Sequence, residues 1–192
     1  MKILIVVDMQ NDFVTGPLGT PEARLIVSKV EEKIEQYLVW GDLYYNNVED
    51  PGVSRVIFTR DHHKSNYLKT QEGKFLPIPH CLEGSDGSLI VGEFEGPATY
   101  GVNVDYAEKS TFGYNNWGAL FKDIKDIESI ELVGVCTDIC VVSNALILKS
   151  LYPEIPIIVD ASCCAGTTPE NHQAALQVMK SCQIEVVNEI HV

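Results

Sequence analysis

The stretch Leu132–Val142, Leu-Val-Gly-Val-Cys-Thr-Asp-Ile-Cys-Val-Val, joins an apolar run to a polar turn holding two cysteines. Its pattern predicts a buried strand over Ile130–Val135, a sharp turn, and a helix opening near Ile139 that carries Val142, Ala145, Leu146 and Leu148. Cys140 then falls in the first helical turn. Free backbone N–H groups and the positive end of the helix dipole there favour a thiolate over a thiol. The same N–H groups can hold the oxyanion of a tetrahedral intermediate. Acyl transfer to a cysteine is the chemistry such a turn would support. A small buried core thiol is the alternative, since free cysteines usually pack inside.

Other reactive types fall after other candidate strands. Asp8 follows the first in Asp8-Met9-Gln10-Asn11-Asp12-Phe13, and Lys109 follows the third in Glu108-Lys109-Ser110-Thr111-Phe112. In an open parallel sheet, ligands bind at the carboxyl ends of the strands. A carboxylate, an ammonium and a thiol on one such edge supply a base, a charge stabiliser and a nucleophile. Taken singly, each has a plainer reading: Asp8 or Asp12 capping a loop, Lys109 on a solvated surface. Their coincidence at successive strand ends favours the catalytic one.

A second constellation follows the second strand. Asp61 and His63 are two apart in Asp61-His62-His63, so an extended backbone points both to one side and turns His62 away. Glu72 and His80 can return from the loop Gln71–Cys81 to complete a mixed nitrogen and oxygen site. Such donors suit zinc, iron or manganese, with positions left open for water or substrate. Loop histidines beside a capping Asp are the alternative. Cys81 is either packing or a softer ligand.

These residues need a frame that brings strand ends together. Lys2–Val7 reads as a central parallel strand buried on both faces, Arg55–Thr59 as a second, and about Tyr100 to Tyr106 as a third. Ile130–Val135, Ile155–Val159 and Ile184–Val187 complete six. Thr20-Pro21 and Thr168-Pro169 each predict a capped helix start. The first of these helices carries Leu25, Ile26, Val30, Ile34 and Leu38 at helical spacing, and a short helix is predicted around Trp117–Phe121. Strands alternating with helices imply a doubly wound α/β fold: helices on both faces of a parallel sheet, in three layers and one domain over 1–192. Asn66–Gly96 reads as a long functional loop. Trp40–Val53 has no clear pattern.

Composition narrows the partners. The 192 residues carry 27 acidic and 14 basic side chains, a formal net charge of −13. Such a field repels nucleic acid and anionic membranes, so neither is an expected partner. Without a long apolar run or a signal-peptide core, a cytoplasmic protein with its six cysteines reduced is expected. Cys163 and Cys164 are expected to pack in the loop before Gly166. His172 and His191 have no partner visible in the sequence.

At this point the motifs converge. Asp8-x-Gln10-x-Asp12-Phe13, Asp61-x-His63 with Pro79-His80-Cys81, Lys109-Ser110-x-Phe112 and Gly134-Val135-Cys136-Thr137-Asp138-Ile139-Cys140-Val141 resemble the isochorismatase-like cysteine hydrolases. The resemblance covers nearly the whole chain in the correct order and is nearest to the nicotinamidase/pyrazinamidase branch. It implies a six-stranded parallel sheet, an Asp8–Lys109–Cys140 triad, and a cis peptide between Val135 and Cys136. It also implies an oxyanion hole from the backbone N–H groups of Cys136 and Cys140, and a divalent metal, zinc first among candidates, on Asp61, His63 and His80 with Glu72 as a fourth ligand. Phe13 and Gln10 would contact substrate or fix the site. Phe75 or Leu76 would stand where relatives carry an aromatic residue before Pro-Pro-His; here the segment runs Phe75-Leu76-Pro77-Ile78-Pro79-His80.

The implied activity is hydrolysis of nicotinamide to nicotinate and ammonia through a Cys140 thioester. Another small amide, such as an N-carbamoyl or ureido compound, would use the same triad. By analogy a homo-oligomer, dimeric or larger, is expected. Two readings outside the class fit less well. A receiver-type phosphotransfer protein needs paired acids that Asp8-Met9-Gln10-Asn11 lacks. A non-catalytic metal- or partner-binding descendant has no need of Asp, Lys and Cys together.

Overall fold

The computed structural model describes residues 1–45, 54–92 and 104–189. Strand β1 (Lys2–Val7) is its centre. It pairs in parallel with β2 (Ser54–Asp61) on one side and β4 (Ser129–Val135) on the other. Outside these lie β3 (Val104–Lys109), β5 (Ile157–Ala165) and β6 (Glu185–Val187), giving a six-stranded parallel sheet in the order 3-2-1-4-5-6. The order reverses between β1 and β4, and in such sheets that switch point is where ligands bind.

The β-branched runs explain the burial. Ile3, Ile5 and Val7 face one layer with Ile57, Ile130 and Leu132, while Leu4 and Val6 face the other with Val56, Phe58 and Val133. The chain supplies helices to both. One face is covered by α2 (Pro21–Leu25) and α3 (Val27–Tyr45) through Ala23, Ile26, Val30 and Ile34. The other is covered by α5 (Trp117–Leu120), α6 (Val142–Leu151) and α7 (Pro169–Ser181) through Trp117, Ala145, Leu148, Leu176 and Met179. Two shorter helices, α1 (Asn11–Val14) and α4 (Gln71–Phe75), shape the loops above the sheet. None of the described helices is long and apolar enough to cross a membrane.

Both Thr-Pro starts form as read: Thr20 Oγ1 accepts from Ala23 N–H at 3.0 Å, and Thr168 Oγ1 from Asn171 N–H at 3.1 Å. Other details differ from the sequence reading. The first amphipathic segment is two helices broken at Ile26, and the break turns Leu25 outward, 72% exposed. Lys109 is the last residue of its strand rather than the loop after it, because β3 begins at Val104. Of the expected Tyr100–Tyr106 strand, 100–103 lie outside the described residues. Cys163 and Cys164 belong to β5 and are buried there. The unpatterned segment from Trp40 continues α3 to Tyr45, and 46–53 and His191 lie outside the described residues. The long loop carries local structure: 3-10 turns at Tyr67–Lys69 and Asp86–Ser88 flank α4.

Candidate active site

Asp8 sits one residue past β1 with φ 48°, a left-handed conformation that an L-residue adopts only under constraint. Thr59 on β2 supplies that constraint. Asp8 N–H donates to Thr59 Oγ1 at 3.2 Å, and Thr59 O–H donates back to Asp8 Oδ1 at 2.6 Å. The other carboxylate oxygen, Oδ2, lies 2.6 Å from Lys109 Nζ at the end of β3. Lys109 Nζ also donates to Cys140 Sγ at 3.7 Å. Three strand ends and one turn thus converge on a buried ammonium: Asp8 is 0%, Lys109 5% and Cys140 7% exposed.

Cys140 is carried by a π-type turn, Thr137–Val141, leading into α6. The Val135–Cys136 peptide before it is cis, as the resemblance implied. Gly134 is needed to bring this strand end alongside β1. Its φ is 112°, and a Cβ there would meet Val7 O at 2.2 Å. From the far side Asn144 fixes the turn: its Nδ2 donates to Cys140 O at 2.9 Å, while its Oδ1 accepts from Tyr114 N–H and Trp117 Nε1. Sequence reading missed Thr59 and Asn144. For Asn144 the only signal was one buried amide on an apolar helix, four residues after Cys140.

The electrostatics correct one expectation. The helix-terminus argument favoured a resting thiolate, but burial, and after it the nearby Asp8 carboxylate, pushes the Cys140 thiol up, against the pull of Lys109. The resting thiol is neutral and needs a base. Burial also raises Asp8, opposed by Lys109. Desolvation alone would lower Lys109, but Asp8, Cys140 and Asp61 hold it above the ordinary lysine range. Burial thus favours the uncharged forms of Asp8 and Cys140, and the Lys109 ammonium between them is the group that opposes it.

Beside it lies the second constellation. Asp61 ends β2, and its Oδ2 is 2.9 Å from His63 Nε2 and 3.3 Å from His80 Nε2. Glu72 Oε1 is 3.6 and 3.5 Å from the same two nitrogens. One donor atom from each of the four lies within 4.8 Å of the others, a group that could hold a metal ion. The chemistry fits. His80 Nδ1 is 2.8 Å from Ile78 O, so Nδ1 donates to that carbonyl and Nε2 is the nitrogen turned, like the buried His63 Nε2, toward the two carboxylates. Burial would raise Asp61, yet His63, His80 and Lys109 hold it well below the carboxylate range. Tyr67, also missed in the sequence, walls the site: its ring centroid lies 4.7 Å from that of His63 and 4.9 Å from that of His80.

The expected substrate contacts divide. Gln10 is fully buried and fixes the site: its Oε1 accepts from Asp61 N–H at 2.7 Å, and its Nε2 donates to Asp61 O and Ser88 O at 2.9 Å. Its amide thus holds Asp61, one of the four candidate metal ligands. Phe13 is buried edge-on to His80 at 5.4 Å, and Asp12 Oδ2 accepts from Cys81 N–H at 2.7 Å, fixing the chain after His80. Phe75 and Leu76 do line a cleft of about 1080 Å³, with His62, Glu72, Lys109, Phe112 and Ile139 among its other walls. Phe75 is 83% exposed at its mouth.

The comparisons with known proteins agree with this architecture. The chain is 25% identical to a nicotinamidase of Saccharomyces cerevisiae, over 98% of this chain and 100% of that one. It superimposes on the crystal structure of a nicotinamidase from Bacillus subtilis with a TM-score of 0.76, at 25% identity over 96% of this chain and 98% of that one. With a pyrazinamidase of Pyrococcus horikoshii, solved in complex with zinc, the TM-score is 0.75, at 24% identity over 98% and 99% of the two chains. The model of the isochorismatase domain matches residues 2–189, and the chain belongs to the isochorismatase family.

Proposed function

We propose that this protein is a metal-dependent cysteine amidohydrolase that converts nicotinamide to nicotinate and ammonia. The observation that carries the reading is one ammonium, Lys109, reaching the base, the thiol and the metal-site carboxylate together, at 2.6, 3.7 and 3.7 Å. Asp8 takes the Cys140 proton, and Lys109 stabilises the thiolate that forms. The sulfur attacks the amide carbon, with the backbone N–H groups of Cys136 and Cys140 as oxyanion donors. Protonated Asp8 delivers its proton to the departing ammonia, leaving a thioester. Water then cleaves the thioester, frees the acid and restores the thiol.

Asp61, His63, His80 and Glu72 are the residues that would hold the ion. When bound, zinc, or iron or manganese, supplies a Lewis-acid position for the pyridine nitrogen of the substrate or for a water. The zinc of the Pyrococcus protein supports the choice of metal, and the names of the relatives support the substrate. Phe75 and Leu76 are the ring contacts this reading favours.

Ammonia release from nicotinamide by metal-replete protein is the test, with Cys140→Ala and chelator-treated protein as controls. Rapid release, lost at least about a thousandfold in Cys140→Ala, supports the reading. No release while Cys140 still alkylates rapidly moves the substrate to another small amide. No release with an inert Cys140 overturns the catalytic reading.

A further inference from the structure

We propose that His172 is a positioning residue for the nucleophile, holding through Thr137 the turn that presents Cys140; the proposal rests on Cys140 being that nucleophile. Thr137 opens the turn and is completely buried, with its Oγ1 2.8 Å from His172 Nδ1 on α7. The next residue is tied to the same junction: Asp138 accepts from Thr167 N–H at 2.8 Å and from Thr167 O–H at 2.6 Å. Asn171 Nδ2 in turn donates to Thr167 Oγ1 at 2.9 Å. Gly166 allows this close approach. A Cβ there would lie 2.9 Å from both the Cβ and N of His172 and 3.0 Å from Asp138 Oδ1.

A π-type turn is the rare, wide form of helix and seldom stands without outside support. Here its first bonds close back on one carbonyl, and Val142 N–H closes its far end on Thr137 O and Ile139 O. Ile139 N–H and Val141 N–H both reach Cys136 O at 3.1 Å. Asn144 grips the turn at its Cys140 end, and His172 and Thr167 grip it at its Thr137 end. His172 is absent from the walls of the substrate cleft and borders a separate groove of about 750 Å³ with Leu25, Cys164 and Thr168. It therefore touches no reacting atom and acts on the chemistry through Thr137. The 3.7 Å from Cys140 Sγ to Lys109 Nζ depends on that grip, and small misplacements of a reacting group are costly in rate.

The experiment compares His172→Ala, His172→Asn, Thr137→Val and the double variant His172→Ala/Thr137→Val. The readouts are the iodoacetamide alkylation rate of Cys140, located by peptide mass, and kcat and KM for nicotinamide. In alkylation the thiolate displaces iodide, so the readout needs no knowledge of the substrate. His172→Ala is expected to slow alkylation and kcat about tenfold, the worth of one hydrogen bond, with KM unchanged. His172→Asn, whose amide can reach the place of Nδ1, recovers most of both. Thr137→Val keeps the packing volume and matches His172→Ala, and the double variant is no slower. Alkylation and kcat within twofold of wild type in His172→Ala and Thr137→Val overturn the proposal, even with a lowered Tm. So does a His172→Asn variant as slow as His172→Ala, or full additivity in the double variant. If His172→Ala does not fold, Thr137→Val and His172→Asn carry the same comparison. A wild-type Cys140 inert to iodoacetamide removes the nucleophile reading itself, a distinct failure that takes the proposal with it.

Discussion

Lys109 Nζ lies 3.7 Å from Asp61 Oδ1, so a single buried cation serves a carboxylate in each half of the site. Asp8 and Asp61 stand at the ends of neighbouring strands, and without Lys109 two carboxylates would face each other out of water. Removing one partner of a buried pair is costlier than the pair is worth, about 3–5 kcal/mol. Lys109→Met should lose stability of that order in urea denaturation at pH 7. Part of the loss should return at lower pH. Burial already raises Asp8 against the pull of Lys109, so without that cation Asp8 protonates more readily.

Metal affinity should depend on a residue that touches no metal. Gln10 brackets the backbone of Asp61 with both ends of its amide. Groups that orient ligands are typically worth 10–100-fold in affinity. Gln10→Ala should weaken zinc binding by roughly that factor in a chelator competition, while Cys140 alkylation in the metal-free protein changes little. Zinc at about a hundred times its Kd should raise the stability of stripped wild type by about 2.7 kcal/mol, read as a rise in Tm. His63→Ala and His80→Ala should lose that response.

His172 gives a signed pH dependence. Burial lowers its pKa below the ordinary histidine value, partly offset by Asp138 and Glu189, the acidic groups nearest it. A folded-state pKa below the unfolded one means that the unfolded chain binds the proton first. The contribution of His172 to stability is therefore complete above the unfolded value of about 6.5 and is lost as pH falls through it toward the folded pKa. Denaturation of wild type and His172→Asn at pH 5 and 8 should show the steeper loss toward acid in wild type.

Gly134→Ala should be severe. At φ 112° the left-handed backbone disfavours alanine, and the added Cβ would lie 2.2 Å from Val7 O in the central strand. A loss of at least about 3 kcal/mol is expected, measured as urea midpoint or as a fall in soluble yield. Thr168→Ala, which removes one N-cap, should cost only about 1 kcal/mol.

The sheet and the two Thr-Pro helix starts were legible because their signals are local: β-branched runs buried on both faces, and a cap followed by proline. Asp61 and His63 were legible together because strand alternation alone puts them on one side. That Gln10 would fix the site was legible, but not its partner, because a sequence does not reveal which backbone groups a buried amide will meet 51 positions away. The same non-locality hid Thr59 from Asp8 and Thr137 from His172, 35 apart. The upward push on the Cys140 thiol was not legible because a helix N-terminus shows in sequence, whereas burial of the turn emerges only in the folded chain.

The two grips on Cys140 and the four metal-site residues come from different stretches of chain. Asp61, His63, Glu72 and His80 all lie on β2 and the segment after it, within 61–80, whereas the turn of Cys140 is braced by Asn144, Thr167 and His172. Mutations can therefore accumulate in one stretch without passing through the other, with Lys109 as the hinge between them. A descendant of this chain could change the Asp61–His80 stretch while inheriting the brace around Cys140 unaltered. The division of labour along the sequence makes the site easy to repurpose.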